Sequence, residues 1–210
     1  MNNLKTIFAK CRIVGLAGIK NSGKTNNLVR LIKDYRQSKP HTDIFAYGMP
    51  ISVMTYLKGL DVKEISSMRH LVHKKNCILI IDEFQKLKLN DRRCKDTLDE
   101  FIDFVYHNNV YVIFSSPNIR EFNSVIGGVI EQWLLKTVRK DMCINGSQLK
   151  KVVEEYNGRF KSLGAIEVPK DTLLLINDTE EVIMNCKYLV DADSKIDNQG
   201  LFWNCQRNCP

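Results

Sequence analysis

Short, mostly apolar segments recur along the chain between residues 11 and 140. They lie at residues 12–17, 43–47, 77–81, 110–115 and 133–138. Because apolar and polar residues alternate little within them, these segments predict strands that are covered on both faces, as in a parallel sheet. We therefore expect five strands of one buried sheet.

Helical patterns lie between the predicted strands. Apolar residues recur at intervals of three and four after residue 24, in Leu28, Leu31, Ile32 and Tyr35. A stronger stripe predicts an amphipathic helix over residues 95–106, and a further helix is expected over 119–131. Residues 51–75 carry only a weak pattern. The alternation of strands and helices predicts a doubly wound α/β fold with a mainly parallel sheet and right-handed crossovers.

The pattern changes after residue 140. A short helix is predicted at about 149–156, and two apolar segments predict a hairpin that turns near Asn177 and Asp178. No Pro-rich, Gly/Ser-rich or repeated segment separates this tail from the rest of the chain. We therefore expect a core domain over residues 1–140 and a small α+β extension over 141–210 that packs on it.

Composition excludes several classes of protein. The 210 residues are 44% hydrophobic and 26% charged, which is typical of globular domains and not of disordered chains. Apolar runs such as those at 78–81 and 173–176 are far too short to cross a membrane, so no membrane partner is expected. Residues 1–10 lack the features of a secretory signal. These features predict a cytoplasmic protein, or one of the host cytoplasm if it is viral.

The seven cysteines are odd in number and scattered, which is typical of reduced thiols in a cytosol-like compartment. Cys205 and Cys209 supply only half of a zinc site, and no second pair of Cys or His residues lies near them. Plain thiols are therefore favoured over a metal site.

The chain is basic, with 31 Lys and Arg residues against 24 acidic ones and a net charge of +7. Such a charge favours polyanionic partners such as nucleic acid, although it also serves solubility alone. A basic cluster near the tail either contacts DNA phosphates or forms a solvated helix face. Its members are Lys136, Arg139, Lys140, Lys150, Lys151, Arg159 and Lys161.

A glycine-rich motif joins the first predicted strand to the first predicted helix. Its residues fit the pattern G-x-x-x-x-G-K-[ST]: Gly18, Ile19, Lys20, Asn21, Ser22, Gly23, Lys24 and Thr25. In this setting, backbone N–H groups and the helix N-terminus bind phosphate. We expect Lys24 to bridge the β- and γ-phosphates of ATP and the Thr25 hydroxyl to hold Mg²⁺. Lys20 and Asn21 are expected to shape the loop or to lie near the γ-phosphate.

A second motif ends the strand predicted at 77–81, where apolar residues are followed by Asp82 and Glu83. Ligands of open α/β sheets bind at this carboxyl edge. We expect Asp82 to accept a hydrogen bond from Mg²⁺-bound water or from Thr25, and Glu83 to polarise the water that attacks the γ-phosphate. The alternative for both residues is a solvated strand end or a helix N-cap.

Together, the glycine loop and the apolar run that ends in Asp82 and Glu83 resemble the additional-strand catalytic glutamate class of P-loop ATPases. Residues 104–137 are similar to the FtsK/HerA division of that class, especially the short DNA-packaging ATPases of viruses and mobile elements. The resemblance covers residues 11–140 well and the tail only loosely. It implies a P-loop NTPase-type sheet, hydrolysis of ATP with Mg²⁺, an active homo-oligomeric ring and double-stranded DNA as partner.

The resemblance also implies a polar sensor residue at the end of the strand predicted at 110–115. The family commonly has Gln there, whereas this chain has the sequence SSPN, so Ser116 or Asn118 is expected to orient the attacking water. Short polar residues around a proline also form ordinary turns, which is the alternative.

Phosphoryl transfer usually needs a cation from a neighbouring subunit as well. We expect Arg120 to supply it, in preference to Arg92, Arg93 or Arg139. For each of these arginines the alternative is an exposed surface position.

The sequence thus leads to an expected function, an ATP-hydrolysing motor that translocates or packages DNA. Two alternatives stay open. One is an AAA-type helicase loader or another nucleic-acid-linked ATPase, which normally carries a helical lid with a sensing Arg after the core. The other is a non-motor NTP-binding accessory protein that is monomeric or dimeric and indifferent to DNA.

Overall fold

A computed structural model describes residues 7–9, 11–20, 22–71, 73–82, 95–117, 128–136, 138–139, 165–166, 172–177 and 182–187. Its strands are β1 (Ile13–Ala17), β2 (Ile44–Tyr47), β3 (Val62–Glu64), β4 (Ile78–Ile81), β5 (Tyr111–Ser116), β6 (Gln132–Leu135), β7 (Val138–Arg139), β8 (Ala165–Ile166), β9 (Thr172–Asn177) and β10 (Val182–Lys187). Its helices are α1 (Lys24–Ser38), α2 (Ile51–Lys58) and α3 (Lys95–His107), with a 3-10 turn at Met68–Leu71.

Among the described residues, eight strands form one sheet in the order β10-β9-β6-β1-β5-β4-β2-β3. The six strands from β6 to β3 are parallel, which confirms the predicted doubly wound α/β fold. Strand β5 lies between β1, which leads into the glycine loop, and β4, which leads to Asp82. The sheet therefore has the additional strand between its two motif-bearing strands.

Apolar layers cover both faces of the parallel sheet. On one face, Leu28, Leu31 and Ile32 of α1 are buried in the same cluster as alternate strand residues such as Val14. On the other face, Val105 of α3 is buried with the intervening strand residues. All four residues of β4 are buried, as the lack of alternation predicted.

The weakly patterned stretch at 51–75 contains α2, β3 and the 3-10 turn. Helix α2 has only eight residues and begins with Ile51, which is 86% exposed, so its apolar stripe is incomplete. Strand β3 lies at the edge of the sheet, and two of its three residues are exposed and charged. Short elements at the margin of a sheet bury too few residues to produce a clear period.

The helix predicted over 119–131 is wrong at its end, since residues 128–131 form a turn and a short connection into β6. Residues 118–127 lie outside the described residues. The Glu131 carboxylate accepts hydrogen bonds from the backbone N–H groups of Arg12 and Ile13 and, at 2.6 Å, from the Tyr106 hydroxyl. Burial and this hydrogen bond raise the pKa of Tyr106 to about 12. Glu131 therefore fixes the start of β1 instead of extending a helix.

The tail contains the predicted hairpin, with β9 and β10 antiparallel and a register shift between Met184 and Cys186. Strand β9 also pairs with β6 in antiparallel fashion, so the hairpin extends the sheet of the core. The helix predicted at 149–156 lies outside the described residues, and the domain boundary near residue 140 stays a prediction.

Two findings concern membranes and thiols. Among the described residues, none of the helices has both the length and the apolar character needed to span a bilayer. Cys11 and Cys77 are buried thiols that form no disulfide among the described residues, and burial raises the pKa of Cys77 to about 11. The side chains of the other five cysteines, including Cys205 and Cys209, lie outside the described part of the chain.

Candidate nucleotide site

The candidate site lies at the carboxyl edge of the parallel sheet. Strand β1 ends at Ala17 and leads into the glycine loop, and its neighbour β5 pairs Ser116 with Ala17. The next strand, β4, is followed by Asp82. Because parallel strands point the same way, the ends of these three strands bring the loop, Ser116 and Asp82 to one edge.

The glycine loop turns sharply into α1 at Gly23. This residue has φ 90° and ψ 16°, a left-handed conformation that side chains with a Cβ rarely adopt. Its carbonyl oxygen then accepts hydrogen bonds from the backbone N–H and the side-chain amide of Asn27, at 3.0 and 2.7 Å. The chain can therefore enter the helix directly after the loop, with its first N–H groups left for a ligand.

Lys24 is the first residue of α1, and its side chain folds back over the loop. The Lys24 Nζ donates hydrogen bonds to the carbonyl oxygens of Gly18 and Ile19, at 2.8 and 3.0 Å. The residue is only 9% exposed. A buried ammonium is thus held within the loop that the motif assigns to phosphate.

Thr25 and Asp82 meet across the sheet edge. The Thr25 Oγ1 donates to the Asp82 Oδ2 at 3.4 Å, and Asp82 is 4% exposed. This contact joins residues 57 positions apart and connects the two motifs. A hydroxyl and a carboxylate side by side are the hard oxygen donors that Mg²⁺ prefers.

Two further polar atoms are buried at the loop and its helix. Within the described residues, Ser22 Oγ and Asn26 Oδ1 have no hydrogen-bond partner. Buried polar groups without partners are rare in native proteins, and a bound ligand or water is one explanation for them. The loop therefore fits a phosphate ligand, and Thr25 with Asp82 fits its magnesium ion.

The remaining predicted site residues divide into two groups. Ile19 is half-buried, Lys20 is exposed, and Ser116 is fully buried at the end of β5. Four residues lie outside the described residues: Asn21, Glu83, Asn118 and Arg120. Arg92 and Arg93 also lie there, and of Arg139 only the backbone, in β7, is described. Their roles stay predictions.

Lys136 does not lie on the surface, where the sequence predicted it as a member of the basic cluster. It follows β6 and is fully buried, so it forms neither a solvated face nor a surface for DNA. Lys136 is buried because β6 pairs with β1 inside the sheet, which places Lys136 next to the glycine loop. The signal that could have found it is the segment WLLK, which puts a lysine inside the buried strand predicted at 133–138, although the observed strand ends at Leu135.

Gly48 is a second residue that the sequence analysis missed. It follows β2 with φ +75°, and a Cβ at this position would lie 2.5 Å from the carbonyl oxygen of Asp82. The backbone N–H of Asp82 donates to the carbonyl oxygen of Tyr47 at 2.9 Å. The backbone after β2 therefore packs directly on Asp82, and glycine is needed for that approach.

Replacing Gly48 with Ala is expected to lower the free energy of unfolding by about 2 kcal/mol or more, because a left-handed alanine and a backbone clash add together. Urea denaturation measures the change. Gly59→Ala is the matched control, since Gly59 has φ −65° and its new Cβ would lie 3.2 Å from the nearest atom, the Tyr56 carbonyl oxygen. We expect the control to stay within about 1 kcal/mol of the wild type. Equal losses in both variants would contradict the role given to Gly48.

Comparison with known proteins gives matches in structure only. No family model matches the sequence, and no curated protein matches it. The DNA-packaging ATPase B204 from Sulfolobus turreted icosahedral virus superposes with a TM-score of 0.63 and 12% identity, over 83% of this chain and 96% of its own.

Two other solved structures are similar. The genome packaging NTPase B204 from Sulfolobus turreted icosahedral virus 2, in complex with AMPPCP, has a TM-score of 0.58 and 15% identity, over 83% of this chain and 96% of its own. EssC (ATPases 2 and 3) from Geobacillus thermodenitrificans has a TM-score of 0.50 and 8% identity, over 94% of this chain and 45% of its own. The predicted resemblance to additional-strand P-loop ATPases of the FtsK/HerA type is thus confirmed at the level of the fold.

Proposed function

We propose that this chain is an ATP-hydrolysing motor that translocates or packages double-stranded DNA and acts as a homo-oligomeric ring. The observation that carries the proposal is the contact of Thr25 with Asp82, at 3.4 Å, on the edge where the glycine loop begins α1. It joins the two motifs that hydrolysis of a nucleoside triphosphate requires.

The proposed chemistry divides the steps among six residues. Lys24 binds the β- and γ-phosphates, and Thr25 and Asp82 would hold Mg²⁺, which would supply positive charge to the phosphates. Glu83 polarises the attacking water, which Ser116 orients from the end of β5. Arg120 of a neighbouring subunit supplies the remaining positive charge. The other residues of the loop, from Gly18 to Gly23, surround the phosphates with their backbone.

The DNA-linked part of the proposal has two supports. Both B204 proteins are described as genome- or DNA-packaging enzymes, and this chain covers 96% of their length. The net charge of +7 suits a polyanionic partner. If the chain is viral, the proposed compartment is the host cytoplasm.

The test is ATP hydrolysis by the purified chain with and without double-stranded DNA, combined with a size measurement in an ATP analogue. A motor is expected to form a ring with the analogue and to hydrolyse ATP faster with DNA. Hydrolysis that ignores DNA, in a monomer or dimer, would point to a non-motor NTP-binding protein. Hydrolysis that responds to single strands or to a helicase, without a ring, would favour the loader.

A further inference from the structure

Lys136 is an unusual residue in this fold because its whole side chain is buried. Lysine normally extends its ammonium to water while burying only its stem. Removing an ammonium from water is costly unless anions or hydrogen-bond acceptors surround it. Lys136 is 0% exposed, and an apolar residue would fill this position at lower cost, so the lysine indicates a function for its charge.

Lys136 lies beside the glycine loop, and this position indicates what its charge does. It directly follows β6, and its backbone N–H donates to the carbonyl oxygen of Ala17, the last residue of β1, at 2.8 Å. A Cβ placed on Gly18 would lie only 2.5 Å from the Lys136 Cβ. The first residue of the glycine loop therefore packs against the stem of a buried lysine.

The charge of a bound triphosphate also favours a second cation at this site. A bound triphosphate carries more negative charge than Mg²⁺ and Lys24 alone neutralise. Asp82, an acid at this edge, adds to the negative charge. A cation enclosed by protein beside the loop acts through a low dielectric and is weakly screened by salt. Lys136 is fully buried and its Cβ lies beside Gly18, so its charge is within one side-chain length of the loop and in the same subunit.

We propose that Lys136 is a second nucleotide-binding lysine, which adds positive potential to the glycine loop from the side of β6 and so increases the affinity for ATP. This inference rests on the proposed function, since it names a further residue of the same site. Lys24 then contributes its charge from the start of α1, and Lys136 contributes its charge from the end of β6, the strand that pairs with β1.

Lys136→Met tests the inference because methionine keeps most of the stem and removes the charge. Calorimetry is expected to give an ATP affinity about tenfold lower than that of the wild type. The thermal midpoint of the variant without nucleotide is measured as well, so that the affinity is compared only at temperatures at which both proteins are folded. The matched control is Lys58→Met, an exposed lysine of α2 that pairs with Glu64 at 2.9 Å, and its ATP affinity should not change.

An affinity of Lys136→Met within about twofold of the wild type overturns the inference. If this variant does not fold, the wild-type protein with ¹³C-labelled lysine decides instead. A Lys136 signal that moves during ATP titration supports the inference, and one that stays fixed while the Lys24 signal moves overturns it. Wild-type protein that binds no ATP would overturn the proposed function itself, which is a different outcome.

Discussion

Lys24→Ala is expected to lower the ATP affinity by about 100-fold or more and to abolish hydrolysis at ordinary ATP concentrations. Charge-assisted hydrogen bonds to phosphate are among the strongest in proteins, and alanine removes them all. Calorimetry measures the affinity, and phosphate release measures the hydrolysis.

Lys33→Ala is the matched control for this variant, since it removes a lysine from the same helix, outside the glycine loop. We expect it to bind and hydrolyse ATP as the wild type does. If Lys24→Ala bound ATP normally, the glycine loop would not be the phosphate site, and the proposal would lose its first component.

Glu83→Gln is expected to reduce single-turnover hydrolysis by about 10³-fold while ATP affinity stays within about threefold of the wild type. The amide keeps the size of the side chain but cannot accept the proton of the attacking water. Rapid-quench kinetics with saturating ATP separates this chemical step from binding.

The control for this prediction is Glu64→Gln, an exposed carboxylate at the end of β3. Its hydrolysis rate is expected to equal that of the wild type. A small effect of Glu83→Gln, with normal binding, would assign the water-activating role to another residue. Loss of ATP binding by Glu83→Gln would instead indicate that Glu83 helps to hold the nucleotide.

The central part of the fold was predictable because its residues follow strong local rules. Each strand from β1 to β6 that is covered on both faces appears in the sequence as an apolar segment, and the glycine loop marks the entry to α1. The rule that ligands bind at the carboxyl edge also predicted that Thr25 and Asp82 lie close together, and their side chains are in contact at 3.4 Å.

The parts that escaped prediction depend on neighbours distant in the sequence. Lys136 is basic, and only the pairing of β6 with β1 reveals that it is buried beside Gly18. Glu131 looks like a helix residue until its carboxylate is seen to bind the start of β1. Helix α2 and strand β3 bury too little to produce a period of their own. Each of these features is decided by tertiary contacts.

The hydrogen bonds of Lys24 to the carbonyl oxygens of Gly18 and Ile19 have a consequence for affinity. These two carbonyl oxygens accept from the Lys24 ammonium as the oxygens of a phosphate would. A phosphate that binds at the loop must therefore compete with two peptide oxygens, and not with water, for the Lys24 ammonium. The dissociation constant for ATP is therefore expected to reflect an exchange of partners, that is, the difference in free energy between two hydrogen-bonded states of one lysine.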